Sequence, residues 1–393
     1  MACAPGGGAM TETLVETLDA ASFDASTRFE TSIDKDDLVY FLLNVGDGDT
    51  QLILLPETPG GHRHAVVVDC ATTKKLPQLV AKLGGVGLLK EPPPGRPLFE
   101  LVVATHPHQD HIGGMPEFLD KFGDQIGEFW EPGYFHTVAA YAEMMRVIED
   151  LDSAGHSVRH SQPTAGYTRY IGHVQVMTLT PAISLRNRFD TYGIEINNSS
   201  IAMRLEFPAS RVVQQSPDRE FVRPRTQRLL LGADAQTVSW AHALTDFPEL
   251  HPDESAAASA LRVALGKDPL KADVFKVPHH LSKHGLSLEL VEQIAPALSL
   301  VSSVAGGGKY NFPHTVSQQA IREALQAVSS GKIKRKADHE LGIHYTSAKD
   351  STNKALGTIC VVISPTGKRS LWRFGDRPAD MVDLNAARRW TTK

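Results

Sequence analysis

No part of this 393-residue chain restricts what it can become more than residues 101–114. Leu101-Val102-Val103-Ala104 run into Thr105 and read as a buried strand that stops abruptly. His106, His108, Asp110 and His111 follow at once. Imidazole and carboxylate together suit zinc or a similar first-row divalent ion. A short loop can turn His106 and His108 to one side and Asp110 and His111 to another, so that two ions sit side by side. Gly113-Gly114 permit tight turning behind these side chains. A merely solvated loop rarely carries an acid among histidines straight after a buried strand.

Composition narrows the class. Hydrophobic residues make up 41% and charged residues 22%, which suits a globular chain able to bury a large core. Cys3, Cys70 and Cys360 are widely spaced, form no C-x-x-C, and fit a reducing, cytoplasmic setting. A net charge of −5 and a pI near 6.4 argue against wholesale nucleic-acid binding, though not against a local basic patch. No apolar run reaches the roughly 18 residues of a membrane span, and residues 1–8 lack signal-peptide character. Neither a membrane protein nor a disulfide scaffold is expected.

Residues 1–30 read as a flexible lead-in, with a short helix over 11–21. Strands are expected over 38–45, 50–55 and 65–69, the last ending on Asp69. Helices follow over 75–82, 115–122 and 134–150. In the last of these Val138, Tyr141, Ala142, Met145 and Ile148 form the apolar face. Further strands are read at 174–179, 201–207, 229–234, 273–277 and 298–304, with a hairpin at 358–364 and 370–374. Helices are read at 236–246, 255–265, 286–294 and 316–327. Residues 209–227 form a polar, Arg-rich loop carrying Arg211, Arg219, Arg223 and Arg225. The main domain is placed at 31–375, and 376–393 is read as a tail or edge helix.

Strand ends thus carry Asp69, the histidine loop, Asp234 and His279-His280. Asp69 or Asp234 alone would pass for a turn cap. Together they suggest ligands converging on one sheet edge, as a two-ion site requires.

In these residues the chain resembles the metallo-β-lactamase fold, whose loop reads H-x-H-x-D-H, here His106, His108, Asp110 and His111. The finer pattern is similar to the ComEC-like branch. It includes Val45-Gly46-Asp47-Gly48-Asp49, an Asn-Ser element within 197–200, Val277-Pro278-His279-His280-Leu281-Ser282, and a late loop with Asn311 and His314. Leu281 and Ala233 stand where that pattern has glycine. His156, His160 and His173 do not occupy the place of the additional histidine common in such enzymes.

The resemblance implies a mixed α/β, four-layer αββα sandwich holding two Zn²⁺ ions, with Mn²⁺ as an alternative. It implies that His106, His108, Asp110, His111, Asp234 and His279 are the metal ligands. Asp234 bridges the ions, and Asp69 orients the histidine loop. The expected reaction is hydrolysis by a water shared between the ions. The expected partner is a phosphodiester of nucleic acid or a nucleotide, with the Arg-rich loop on backbone phosphates. The alternative substrate is a non-phosphate ester, thioester, lactone or lactam. Asp110, His280 and His314 are the candidate catalytic residues, and Lys283, His284, Lys309 and Asn311 the candidate substrate contacts. Asp47 and Asp49 read as turn formers, Lys276 as a structural strand residue, and His136 as an ordinary surface histidine.

Overall fold

Apolar runs without alternation need cover on both faces, and the chain supplies it by stacking two sheets between helices. The structure, a computed structural model, describes residues 17–18, 23–24, 26–134, 136–156, 158–183, 196–209, 225–246, 270–304, 310–326 and 336–391. Its strands are β1 (Thr17–Leu18), β2 (Phe23–Asp24), β3 (Leu38–Leu42), β4 (Thr50–Leu54), β5 (Ala65–Cys70), β6 (Phe99–Val103), β7 (Glu128–Trp130) and β8 (Arg159–Ser161). They continue as β9 (Thr168–Ile171), β10 (Val174–Thr178), β11 (Met203–Phe207), β12 (Gln227–Leu231), β13 (Val274–Lys276), β14 (Leu298–Val301) and β15 (Ile343–Tyr345). The last are β16 (Lys349–Asp350), β17 (Ile359–Ile363), β18 (Arg369–Arg373) and β19 (Arg388–Trp390). The helices are α1 (Lys75–Gly85), α2 (Gln109–Ile112), α3 (Met115–Phe122), α4 (Ala139–Ser153), α5 (Thr237–Asp246), α6 (Leu288–Ile294) and α7 (Thr315–Leu325).

Among the described residues one sheet runs β2-β19-β18-β17-β3-β4-β5-β6-β7-β8, and the other runs β15-β14-β13-β12-β11-β10-β9. The neighbours β5 and β6 are parallel, as are β12 and β13. Parallel neighbours end on the same side, so the polar residues that follow them gather at one edge.

Three apolar clusters separate four layers. Val39, Val67 and Val102 of the first sheet pack on Leu79 of α1, Phe118 of α3 and Met144 of α4. Tyr40, Val66 and Val103 face Val176, Leu205, Leu229 and Val274 of the second sheet. Phe275 and Leu230 meet Trp240 of α5, Val291 of α6 and Ile321 of α7. Burying each such side chain stabilises the chain by about 1.5–3 kcal/mol. This is the expected sandwich of two sheets flanked by helices.

Local departures have simple causes. The 134–150 helix begins at Ala139, and its buried face is Tyr141, Met144, Val147 and Ile148; Ala142 is exposed. Strands β7, β8, β9 and β15 are too short to show a period, and the sequence did not reveal them. The expected helix over 11–21 is contradicted at Thr17–Leu18, which pairs with Lys349–Asp350. Within the lead-in, Phe29 is buried against Phe41, Trp372 and Phe374 at ring separations of 5.8, 5.3 and 5.2 Å. Where a tail or edge helix was expected, Arg388–Trp390 adds a strand beside β18. The 255–265 helix and most of the Arg-rich loop, residues 210–224, lie outside the described residues. Cys70 and Cys360 are free and buried, and no described helix is long and apolar enough to cross a membrane.

Candidate metal centre

Asp69, the second-last residue of β5, has a φ of 60° that swings its carboxylate along the sheet edge. That carboxylate accepts from Thr105 N at 2.8 Å and Thr105 Oγ1 at 2.7 Å, and lies 2.7 Å from His111 Nδ1. The end of β6 is thereby tied to the end of β5. The chain then closes α2, a single turn in which the amides of His111 and Ile112 both donate to His108 O. Gly114 makes this possible: a Cβ there would lie 2.3 Å from the carbonyl carbon of Thr72. At Gly48 a Cβ would lie 2.7 Å from Asp110 O, so the early glycine turn also presses on the loop.

Asp234, just past β12, sits at the middle. Its Oδ2 faces His106 Nε2 at 3.6 Å and His279 Nε2 at 3.7 Å. Its Oδ1 faces His111 Nε2 at 3.1 Å and His280 Nε2 at 3.8 Å. His280 Nε2 is also 3.6 Å from Asp110 Oδ2. Among the described residues three groups have donor atoms within 4.8 Å of one another: His106, His108 and Asp234; Asp110, His111 and His280; and, behind them, Asp49, Asp69 and His111. His111 Nε2, His280 Nε2 and Asp234 Oδ1 are buried and make no well-aligned hydrogen bond, although His111 Nε2 and Asp234 Oδ1 stand 3.1 Å apart as an ion pair. Buried polar atoms left unpaired are costly, about 1–3 kcal/mol each. A divalent cation among them satisfies all three, so the residues present fit a metal.

The electrostatics agree. Burial alone would raise the Asp234 carboxyl, but the imidazoles of His111, His279 and His280 outweigh it and hold the group well below the usual carboxylate range. Burial pushes His106 far down and His108 down, which leaves both as neutral ligands. His111 goes the other way, because Asp234 and Asp69 outweigh its burial.

Comparison with known proteins bears on the fold. Residues 60–179 match the model of the metallo-beta-lactamase superfamily, a segment that contains Asp69 and the whole histidine loop. The two sheets flanked by helices are consistent with the sandwich of that superfamily. No curated protein matches the sequence. Among solved structures, the metallo-beta-lactamase fold protein YhfI from Bacillus subtilis is 13% identical, with 80% of this chain and 98% of that one covered and a TM-score of 0.36. Igni18, a metallo hydrolase from Ignicoccus hospitalis, is 11% identical over 82% of this chain and 98% of its own, with a TM-score of 0.38. A diphosphatase from the PhnP family is 11% identical over 80% and 95%, with a TM-score of 0.34. At these TM-scores the likeness adds nothing to the reading of the site.

The expected residues divide into those brought together and those kept apart. His106, His108, Asp110, His111, Asp234, His279 and His280 meet at one edge. His280, expected as a donor, joins the Asp110–His111 group. His279, expected as a ligand of the second ion, approaches Asp234 from the His106 side; its Nδ1 lies 3.0 Å from Ser282 Oγ and 3.2 Å from Gln236 Nε2. Asn197 Nδ2 is 3.5 Å from His279 Nε2. His314 caps α7, its Nδ1 accepting from Val316 N at 3.4 Å. Lys283, His284 and Asn311 are exposed. Lys309 lies outside the described residues.

Sequence reading passed over several groups. Asp49, read as a turn former, is fully buried, forms an ion pair with Lys276 and accepts from Ser302 Oγ at 2.5 Å. Ser302 in turn holds His280, with its O and Oγ each 3.1 Å from His280 Nδ1. Lys276 Nζ also reaches Ala233 O at 3.4 Å, beside Asp234. His136 places its ring 6.0 Å from that of His108. The signal for Asp49 and Lys276 was a charge of each sign at strand ends sharing this edge.

Proposed function

We propose that this chain is a metal-dependent hydrolase whose substrate is a phosphodiester of nucleic acid or a nucleotide. The observation that carries the reading is the convergence of three buried atoms without a well-aligned hydrogen bond, on His111, His280 and Asp234, beside Asp110. Divalent ions held there, Zn²⁺ or Mn²⁺, would supply Lewis acidity to a water and to the substrate oxygen.

The chain's own residues define the rest. His106, His108 and one oxygen of Asp234 hold one position; Asp110, His111 and His280 hold the other. Asp69 fixes the His111 ring by its Nδ1, and Ser302 does the same for His280, so that each Nε2 points to the centre. Asp110 is the half-exposed member and stands at the mouth, where it can orient the attacking water and receive its proton. His279 sits against Phe312 at a ring separation of 5.3 Å, and Tyr310 stacks on Phe312 at 5.7 Å while 58% exposed. An exposed aromatic stack beside the metal ligands suits a nucleobase. That stack, and the likeness to the ComEC-like pattern, favour phosphodiesters over the ester, thioester, lactone and lactam alternative. His314, Lys283, His284 and Asn311 remain candidates for contacts to the substrate beyond the reacting group.

The test is turnover by purified protein with Zn²⁺ or Mn²⁺ on single-stranded DNA, RNA, bis-p-nitrophenyl phosphate and a chromogenic lactam. Asp110→Ala is expected to abolish turnover, by about 10³-fold or more, with the fold intact. Unchanged turnover in that variant overturns the mechanism. Steep loss of activity with salt supports a polyanionic substrate, and turnover of the lactam alone favours the alternative.

A further inference from the structure

Away from the metal centre, a second cleft opens where β15, at the edge of one sheet, faces β18 of the other. It is small, with room for about one water-sized group, and is lined by Arg373, His344, Tyr345, His339 and Asp338 among others. Trp390 of β19 borders it, its ring 5.6 Å from His339 and 5.7 Å from His344.

Arg373 is the unusual member. Its side chain is 1% exposed. Its Nη2 donates to Tyr345 O at 2.6 Å, while Nε and Nη1 are buried and donate to nothing. Among the described residues no carboxylate pairs with it, because each nearby acid is already taken. Asp338 is gripped by both ends of Arg322, at 2.5 and 2.7 Å. Asp376 pairs with Lys75 at 2.6 Å and accepts from Thr358 N and Oγ1 at 2.7 and 2.8 Å. Asp350 faces Arg388 at 3.5 Å and accepts from Thr352 and Lys354. Asp376, shared with Lys75, is the carboxylate that attracts Arg373, so the cleft is short of negative charge and two N–H groups of Arg373 stay unanswered. Burial lowers the guanidinium only to about 9, so it stays cationic at neutral pH. His344, pushed down to about 3 by burial and by Arg373, is a neutral ring with one N–H to give. A water could fill a hydrogen bond here but would not balance the charge, and a buried charge without full compensation is among the costliest features a fold can carry.

We propose that the cleft beside Arg373 is a binding site for a small monatomic anion, a halide, distinct from the metal centre. The anion takes the free Nε–H and Nη1–H of Arg373 and supplies the negative charge the cleft is short of. Its occupancy stabilises the meeting of β15 with β18, and the reaction at the metal centre does not depend on it.

The experiment is thermal unfolding of the full chain in chloride, in inorganic phosphate and in a bulky organic anion, at constant ionic strength. Wild type is expected to show a saturable rise in melting temperature with chloride and none with phosphate or the bulky anion. Arg373→Met is expected to lose that dependence while binding as much metal as wild type. A rise with phosphate and none with chloride overturns the halide site. A wild-type melting temperature that ignores anion identity, or a dependence that persists in Arg373→Met, overturns the proposal. Should Arg373→Met not fold, bromide-soaked wild-type crystals decide it. An anomalous peak within hydrogen-bond reach of Arg373 Nε or Nη1 supports the site, and no peak there refutes it.

Discussion

Lys276→Met tests whether the polar core behind the metal centre is held by charge. Lys276 and Asp49 are ion-paired and neither side chain is exposed. Burial alone would raise the Asp49 carboxyl, yet the Lys276 ammonium, with His111 and His280, holds it below the usual range. Methionine fills a similar volume without the charge. Asp49 then keeps Ser302 Oγ, at 2.5 Å, as a neutral donor inside a dry interior. Leaving one member of a buried ion pair alone costs about 3–5 kcal/mol. For a chain of 393 residues that corresponds to a fall in melting temperature of about 4–6 °C. Asp49→Asn added to Lys276→Met removes the stranded charge and should restore at least half of the loss. Urea denaturation at pH 7 of wild type, both single variants and the double variant closes the cycle. If Lys276→Met is as stable as wild type within about 1 kcal/mol, or if the second substitution restores nothing, the pair is not what organises this core.

Asp69→Asn keeps a residue that tolerates the φ of 60° but loses one carboxylate acceptor among Thr105 N, Thr105 Oγ1 and His111 Nδ1. Metal affinity, read by competition with a chromogenic chelator, should fall about 10–100-fold. Chelator treatment of wild type should lower its melting temperature, and zinc should restore it, since three buried atoms lose their partner when metal leaves. Asp234→Asn should abolish that response in calorimetry. Glu128 is raised by burial but lowered more by Arg159, Trp130, Arg169 and Ser161, so its folded pKa lies below the ordinary value. Its contribution is therefore present above the unfolded pKa and lost as pH falls through the folded one. Glu128→Gln should cost about 2 kcal/mol at pH 7, and the gap to wild type in urea titrations should close below about pH 4. Leu281→Gly relieves a φ of 64°, worth about 1–2 kcal/mol, but empties a buried site worth about 2–5. Denaturation should show a net loss of about 1–3 kcal/mol, whereas a gain would mean that the backbone term dominates.

The histidine loop, Asp69 and Asp234 were legible because each ends an apolar run, and a buried parallel strand presents whatever follows it at the same edge. The sandwich was legible from continuous apolar strands alternating with amphipathic helices. What stayed hidden depends on pairing across the chain. Asp49 looks like a turn former until β13 brings Lys276 against it from far along the sequence. The roles of His279 and His280 could not be separated from sequence, since two adjacent histidines after a strand give no sign of which ring turns inward. His136 follows no strand and precedes a helix, so nothing marked it as a neighbour of His108. Arg388–Trp390 is too short for its period to be read, and it becomes a strand because β18 leaves an edge to cover.

The backbone at this edge shows why the two histidines act together. Asp69, Ala233, His279, His280 and Leu281 all have positive φ, between 45° and 64°, although none is glycine. Each costs about 1–2 kcal/mol relative to ordinary backbone. In an extended strand, consecutive side chains point to opposite faces, so His279 and His280 would diverge. The left-handed turn sets their rings 6.2 Å apart and brings their Nε2 atoms to 3.7 and 3.8 Å from the two oxygens of one carboxylate. Glycine would remove the strain at 279 and 280 but also the imidazoles that the strain aims. The three packed layers beneath offset this cost, and the conformation persists because the ring of His280 is pinned by Ser302 and that of His279 by Ser282.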